Sequence, residues 1–254
     1  TSPDTVYVAT KGNGLYKTTN GAESWVRVAA KSPSEEEACT YVNVISIDPA
    51  NTNIIYIAGA NISNTYGIFK SEDGGKNFVK LFQPAVGITS LQISPADSKV
   101  IYAASYGAGV YKSVDGGITW QSYNKGMVDQ YLRTIAIDPS SPETIYAGSN
   151  QSGIYKSVDG GQTWVTINNG FRGVSGVFGA SVQTILIDSQ AKVIYVGASG
   201  NGIFKSIDGG NSWYDINKDL IVNNSYPYIN CFMLDPTKKI LYAGTDDYGV
   251  ISYE

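Results

Sequence analysis

The sequence predicts an all-β fold, a β-propeller of four-stranded antiparallel blades, and three observations predict it. One phrase recurs along the chain at intervals of 44 to 49 residues, close to the ~40–50 residues of a four-stranded blade. Short runs rich in Ile, Val and Tyr alternate with turn residues, as in strands joined by tight hairpins. No stretch keeps a 3.6-residue apolar period for a dozen residues, so helices find no place. The composition agrees, with 28 Gly and 19 Tyr in 254 residues and only 16% charged residues.

The recurring phrase starts at an Ile-Tyr or similar pair whose Tyr falls at Tyr7, Tyr56, Tyr102, Tyr146, Tyr195 and Tyr242. In the fourth unit, strand A is Thr134-Ile135-Ala136-Ile137-Asp138-Pro139 and strand B is Thr144-Ile145-Tyr146-Ala147-Gly148. Strand C is Gly153-Ile154-Tyr155-Lys156-Ser157, and strand D is Thr163-Trp164-Val165-Thr166-Ile167. Pro, Ser, Asp and Asn between A and B favour a turn. The chain begins just before a B strand and stops just after a C strand, giving five A, six B, six C and five D strands. The simplest arrangement is one domain over 1–254, a six-bladed ring whose first blade lacks its inner strand and whose last lacks its outer one. Part of a larger propeller is the second reading. A five-bladed ring leaves the hairpin after Lys239 without a home. Thr1-Ser2-Pro3 is not a natural translation start, which suggests that a preceding segment has been removed.

Strands C and D are joined by Ser113-Val114-Asp115-Gly116-Gly117-Ile118-Thr119-Trp120, repeated over 157–164 and 206–213. Residues 71–78 end in Phe, and 18–25 carry Asn20 in place of Asp. Here an acidic or amide side chain can accept hydrogen bonds from turn amides, glycines supply positive φ, and the aromatic packs beneath the turn. The motif resembles the Asp-box, or BNR repeat, of sialidase-like propellers, which sortilin-like and xyloglucanase-like propellers share. The resemblance implies that these turns sit on the blade periphery, away from the active face. Asn20, Asp73, Asp115, Asp159 and Asp208, with Trp25, Phe78, Trp120, Trp164 and Trp213, are therefore read as scaffold. Repetition in every blade is what scaffolding looks like.

Composition also excludes functions. The formal charge of −4 and the lack of any basic cluster argue against nucleic acid as a partner. The chain has no His, which removes the commonest general base and metal ligand. Two cysteines cannot build a structural zinc site, so neither a metal nor another cofactor is expected. No apolar run approaches the roughly 20 residues of a membrane span. Cys39 and Cys231 flank the incomplete first blade, so a ring-closing disulfide and two free thiols both stand as readings. The triplet Glu35-Glu36-Glu37 reads as a solvated acidic loop. Asn61, Asn150 and Asn223 open glycosylation sequons, relevant only in a eukaryotic secretory pathway.

By fold-level analogy, propeller ligands meet the mouth of the central channel, lined by A strands and by the D–A and B–C loops. Aligning the A strands on Asp48, Ser94, Asp138, Asp188 and Asp235 places Asn43, Thr89, Arg133, Gln183 and Asn230 in one polar layer. Two residues further on, Ile45, Leu91, Ile135, Ile185 and Phe232 form an apolar layer. The polar layer either receives a ligand or satisfies itself and water. Loop aromatics join the candidate binding set: Tyr131, Phe171, Tyr226, Tyr228 and Tyr248, with Tyr41, Tyr66, Tyr106 and Phe178 nearby in sequence. Such rings stack on sugars or anchor proteins, although all four Trp belong to the repeated turns.

Enzyme readings follow from the resemblance. A sialidase needs three arginines around the substrate carboxylate, but Arg27 lies on a D strand, which leaves Arg133 and Arg172. A xyloglucanase-like hydrolase needs paired carboxylates; the loop candidates are Asp129, Asp219, Asp246 and Asp247, and nothing in their spacing pairs them. The family's two-propeller cleft exceeds 254 residues. Photosystem assembly factors of this type carry an arginine-rich patch that three arginines cannot make, and sortilin-like receptors have ten blades. The expectation is a non-catalytic, exported recognition or scaffold propeller that binds a glycan or protein partner, with glycoside hydrolysis as the alternative.

Overall fold

The computed structural model describes residues 4–28, 39–171, 180–217 and 226–253. It is an all-β propeller of six blades, with 22 strands and no helix among the described residues. Its backbone groups into two compact units, Thr1–Ser122 and Tyr123–Glu254, of three blades each.

In the first unit, blade one holds β1 (Val6–Thr10), β2 (Gly14–Thr18) and β3 (Val26–Val28). Blade two holds β4 (Tyr41–Ile47), β5 (Ile55–Ala60), β6 (Tyr66–Ser71) and β7 (Val79–Phe82). Blade three holds β8 (Ile88–Ile93), β9 (Ile101–Ser105), β10 (Gly109–Ser113) and β11 (Gln121–Ser122). In the second unit, blade four holds β12 (Leu132–Ile137), β13 (Ile145–Ser149), β14 (Ile154–Ser157) and β15 (Val165–Thr166). Blade five holds β16 (Val182–Asp188), β17 (Val193–Ala198), β18 (Gly202–Ser206) and β19 (Tyr214–Asp215). Blade six holds β20 (Ile229–Leu234), β21 (Leu241–Thr245) and β22 (Val250–Tyr253). Each sheet is antiparallel with strands in chain order, and the first and last blades have three strands. The strand count is the one read from the sequence.

The B strands of blades two to four are covered on both faces: every residue of β5, β9 and β13 is buried, which is why they read as near-continuous apolar runs, whereas β1 of blade one is half-exposed. Glycine lets neighbouring blades close in. A Cβ at Gly148 of β13 would lie 2.4 Å from Val182 of the next blade, and one at Gly197 of β17 2.5 Å from Ile229. The D strands are edge strands, only two residues long and exposed in blades three to five. Short, exposed edges limit pairing with other chains.

The repeated acidic turns close as expected. In blade four, Ser157 Oγ donates to Asp159 Oδ1 at 2.7 Å, while Thr163 N and Oγ1 donate to its two carboxylate oxygens. These bonds, Thr163 first, hold the Asp159 carboxyl down at about 2. Asp115 and Asp208 are lowered to about 2 mainly by Thr119 and Ser212, and Asp73 by Asn77. Phe78, Trp164 and Trp213 are buried beneath their turns, whereas Trp25 is 40% exposed. The expectation of an aromatic tucked under every turn therefore fails in blade one.

A second repeated device was not read from the sequence. Each C-strand Lys of blades one to five sits over the B-strand Tyr of its own blade, 5.0 to 5.8 Å from the ring centre. The Tyr then reaches the next blade's acidic turn. Tyr7 Oη donates to Gly74 O, Tyr56 Oη to Gly116 O and Tyr146 Oη to Gly209 O. Lys17 and Lys156 donate to the same Gly74 and Gly209 carbonyls. Burial, then the Asp138 charge, pushes the Tyr146 phenol up to about 12, so it remains a donor at neutral pH.

Cys39 and Cys231 are free thiols, so the disulfide reading gives way. Cys39 packs against the core of Leu15, Ile57 and Phe69, and burial pushes its thiol up to about 12. Cys231 is exposed.

Candidate functional site

The polar layer read from the A strands coincides with a backbone irregularity in every one of them. Pairing jumps from Val42↔Gly59 to Val44↔Ala58, skipping Asn43. The register passes over Thr89, Arg133, Gln183 and Asn230 in the same way. Each of the five predicted residues is thus the extra residue of a β-bulge. A bulge bends its strand and re-aims the side chain it carries.

In the second unit β16 packs beside both β12 and β20, so three bulge residues lie on adjacent strands. Each is met by the residue that follows the B strand of its own blade or by the end of that strand. Arg133 Nε and Nη2 donate to Asn150 Oδ1 at 3.1 and 2.9 Å. Gln183 Nε2 donates to Ser199 Oγ at 2.7 Å and Ser181 Oγ at 3.0 Å. Asn230 Nδ2 donates to Asp246 Oδ1 at 2.5 Å. Ser181 Oγ also reaches Asn150 Oδ1 at 3.4 Å, joining blades four and five in one network. In the first unit Thr89 Oγ1 donates to Ala104 O at 3.2 Å, and Asn43 is exposed. Asn150, Ser181 and Ser199 were missed as network members; their signal is position, at the start of the A strand or just after the B strand.

Aromatics flank this row. Tyr131 and Tyr228 begin the approach to their A strands, two residues before the bulge, and are 52% and 50% exposed. The Tyr228 ring lies over Gly200 of the blade-five B–C loop, 3.7 Å from where its Cβ would be. Tyr41 holds the corresponding place in blade two and is exposed, as is Tyr248 in the last B–C loop. Tyr226 is half-buried. Phe171 departs from its expected place at the surface. It is buried, with its ring centre 4.3 Å from Phe204 and 6.1 Å from Trp213, and so belongs to the core. Arg172, Phe178, Asp219, residues 35–37 and the sequon at 223–225 lie outside the described residues.

Loop carboxylates here serve the backbone. Asp129 accepts Tyr131 N on one oxygen at 2.9 Å and Gln151 N on the other at 2.8 Å, tying the D–A loop to the B–C loop. Asp246 holds Asn230. Among the described residues no group of three or more His, Cys, Asp or Glu could hold a metal ion, and no helix is long and apolar enough to cross a membrane.

No protein-family profile matches the chain. In an alignment 136 positions long that covers 47% of this chain and 16% of the other, the sequence is 26% identical to the xyloglucanase Xgh74A of Acetivibrio thermocellus. The fold is shared more widely. A GH74 enzyme of Niastella koreensis superposes with a TM-score of 0.76 at 21% identity, over 97% of this chain and 40% of that one. The extracellular domain of a putative one-component system, BT4673, from B. thetaiotaomicron gives 0.72 at 16% identity, over 100% and 31%. YCF48 bound to D1 peptide gives 0.67 at 16%, over 94% and 71%. The chain is thus less than half as long as the GH74 and sensor chains, and these likenesses are ones of fold.

Proposed function

We propose that this propeller is an extracellular recognition module that binds a glycan through the bulge row and its flanking tyrosines. The observation that carries the reading is the coincidence of five bulges with five polar side chains, three of them on adjacent strands of the second unit. Planar amide and guanidinium groups held by neighbours suit the fixed hydroxyls of a sugar, and exposed Tyr131 and Tyr228 offer faces for stacking. The turns that frame the blades are read as Asp-boxes, with a scaffold role. Similarity to a xyloglucanase and to an extracellular sensor domain supports both the ligand class and the location outside the cell.

Calorimetry against xyloglucan oligosaccharides and a panel of neutral glycans tests the reading. Binding without release of reducing ends, weakened at least tenfold by Tyr228→Ala and by Gln183→Ala, is the expected result. A second reading, glycoside hydrolysis through Asp129, Asp246 and Asp247, rests on the xyloglucanase match. The bonds that hold Asp129 to Tyr131 N and Gln151 N, and Asp246 to the Asn230 amide, count against it. Turnover abolished by alanine at those carboxylates would establish hydrolysis and end the binding proposal. A protein ligand at the same row would show as pull-down of a partner that free glycan does not displace.

A further inference from the structure

A surface away from the bulge row has the makings of a second site. In the first unit a groove of about 510 Å³ runs between the D strand of blade one and the acidic turn of blade two, lined by Lys17, Arg27, Lys76, Val26, Val28 and Asn77 among others. Among the described residues three cations and no carboxylate line it, on a chain of net charge −4. The side chains are anchored: Arg27 Nε donates to Asn13 O at 2.8 Å and Lys17 Nζ to Gly74 O at 3.0 Å, while Lys76 is exposed. The equivalent groove one blade on, about 430 Å³, has the same apolar floor of Val79 and Leu81. There Glu72 and Asp73 join the lining, and Lys70 is paired with Glu72 at 2.8 Å. The second groove therefore does not share the basic character of the first.

The groove also runs along an open sheet edge. β3 is the last strand of its sheet, paired with β2 through Tyr16↔Arg27, and no strand covers its other side among the described residues. Val26 on it is 69% exposed. An open edge presents backbone N–H and C=O groups at the spacing of an extended chain, which a sugar does not match.

We propose that this groove docks an extended acidic peptide segment of a partner protein. The segment adds as a further strand along β3; carboxylates on the face that carries Val26, Val28 and their cross-strand partner Lys17 meet Lys17 and Lys76, and one on the opposite face meets Arg27. Its apolar side chains lie on Val26 and Val28.

Fluorescence anisotropy with the full chain and a labelled octapeptide repeating Glu-Glu-Val-Val, which places both residue types on each face of a strand, tests this. The probe should bind, and Lys76→Glu should weaken it at least tenfold. Arg27→Gln should act in the same direction, while Lys125→Glu, an equal charge change outside the groove, should alter it less than twofold. A probe with Pro at its central positions should lose binding, because Pro cannot donate to the ladder. Circular dichroism of each variant confirms folding, and Lys76→Gln replaces Lys76→Glu where folding is lost. Absence of binding overturns the proposal. So does equal loss with Lys125→Glu, or equal affinity for the Pro-interrupted probe or for a sulfated oligosaccharide, since each of these reports charge without strand addition.

Discussion

The acidic turn of the first blade, Thr18–Trp25, and that of the fifth, Ser206–Trp213, start alike. In each a hydroxyl donates to the turn's amide or carboxylate oxygen at 2.8 Å, Thr18 to Asn20 and Ser206 to Asp208. In each the hydroxyl also accepts an amide four residues on, from Ala22 and from Gly210. Beyond that point they part. Trp213 is 3% exposed and donates to Ile167 O in the approach from blade four, while Trp25 is 40% exposed. Gly209 of the fifth turn is held by Tyr146 and Lys156 of blade four. The difference teaches that the polar skeleton of these two turns is local, satisfied within a few residues, whereas the seating of Trp213 depends on the approach from blade four.

Four changes break or sharpen the comparison. Trp213→Ala should cost about 3–5 kcal/mol, as for a buried aromatic, and Trp25→Ala about 1 kcal/mol or less; equal shifts in urea midpoint would erase the distinction. Tyr146→Phe removes one bond to Gly209 and should cost about 1 kcal/mol, read in the same denaturation series. Ala22 takes the left-handed place of a glycine, with φ 74°. Ala22→Gly should stabilise by about 0.5–1 kcal/mol, since relief of a strained left-handed alanine outweighs the entropy glycine adds to the unfolded chain. The last change is in acid response. The Asp208 carboxyl lies at about 2, against an ordinary 3.8. Its contribution is therefore fully present above pH 3.8 and fades as pH falls towards 2. Asn20 supplies no such term, so Asn20→Asp should steepen the loss of thermal stability between about pH 5 and 2. Asp208→Asn should flatten it. Melting temperature across that range is the measurement, and parallel curves for both variants would refute the assignment.

Much of the fold was legible because each blade repeats the same hydrophobic and turn chemistry, and the strand count needed nothing else. The equivalence of the five polar A-strand positions was legible too, through alignment of the A strands on Asp48 and its counterparts. The bulges beneath it were not, since a bulge is a property of pairing between two strands and leaves no mark in one strand's residue types. Phe171 was misplaced for a related reason. It sits in a loop by sequence, and only its contact with Phe204 and Trp213, far along the chain, puts it in the core. The Tyr–Lys device was visible as repetition but not as function, because the partner of Tyr56 is Gly116, 60 residues away.

The bulges carry one more consequence. Asn43, Thr89, Arg133, Gln183 and Asn230 each stand where the ladder's register passes over a residue, so the side chain at those places is set less by strand pairing than by the neighbours it meets. Five blades therefore offer five interchangeable settings on an unchanged frame. A lineage of such proteins can change those side chains one blade at a time on the same frame.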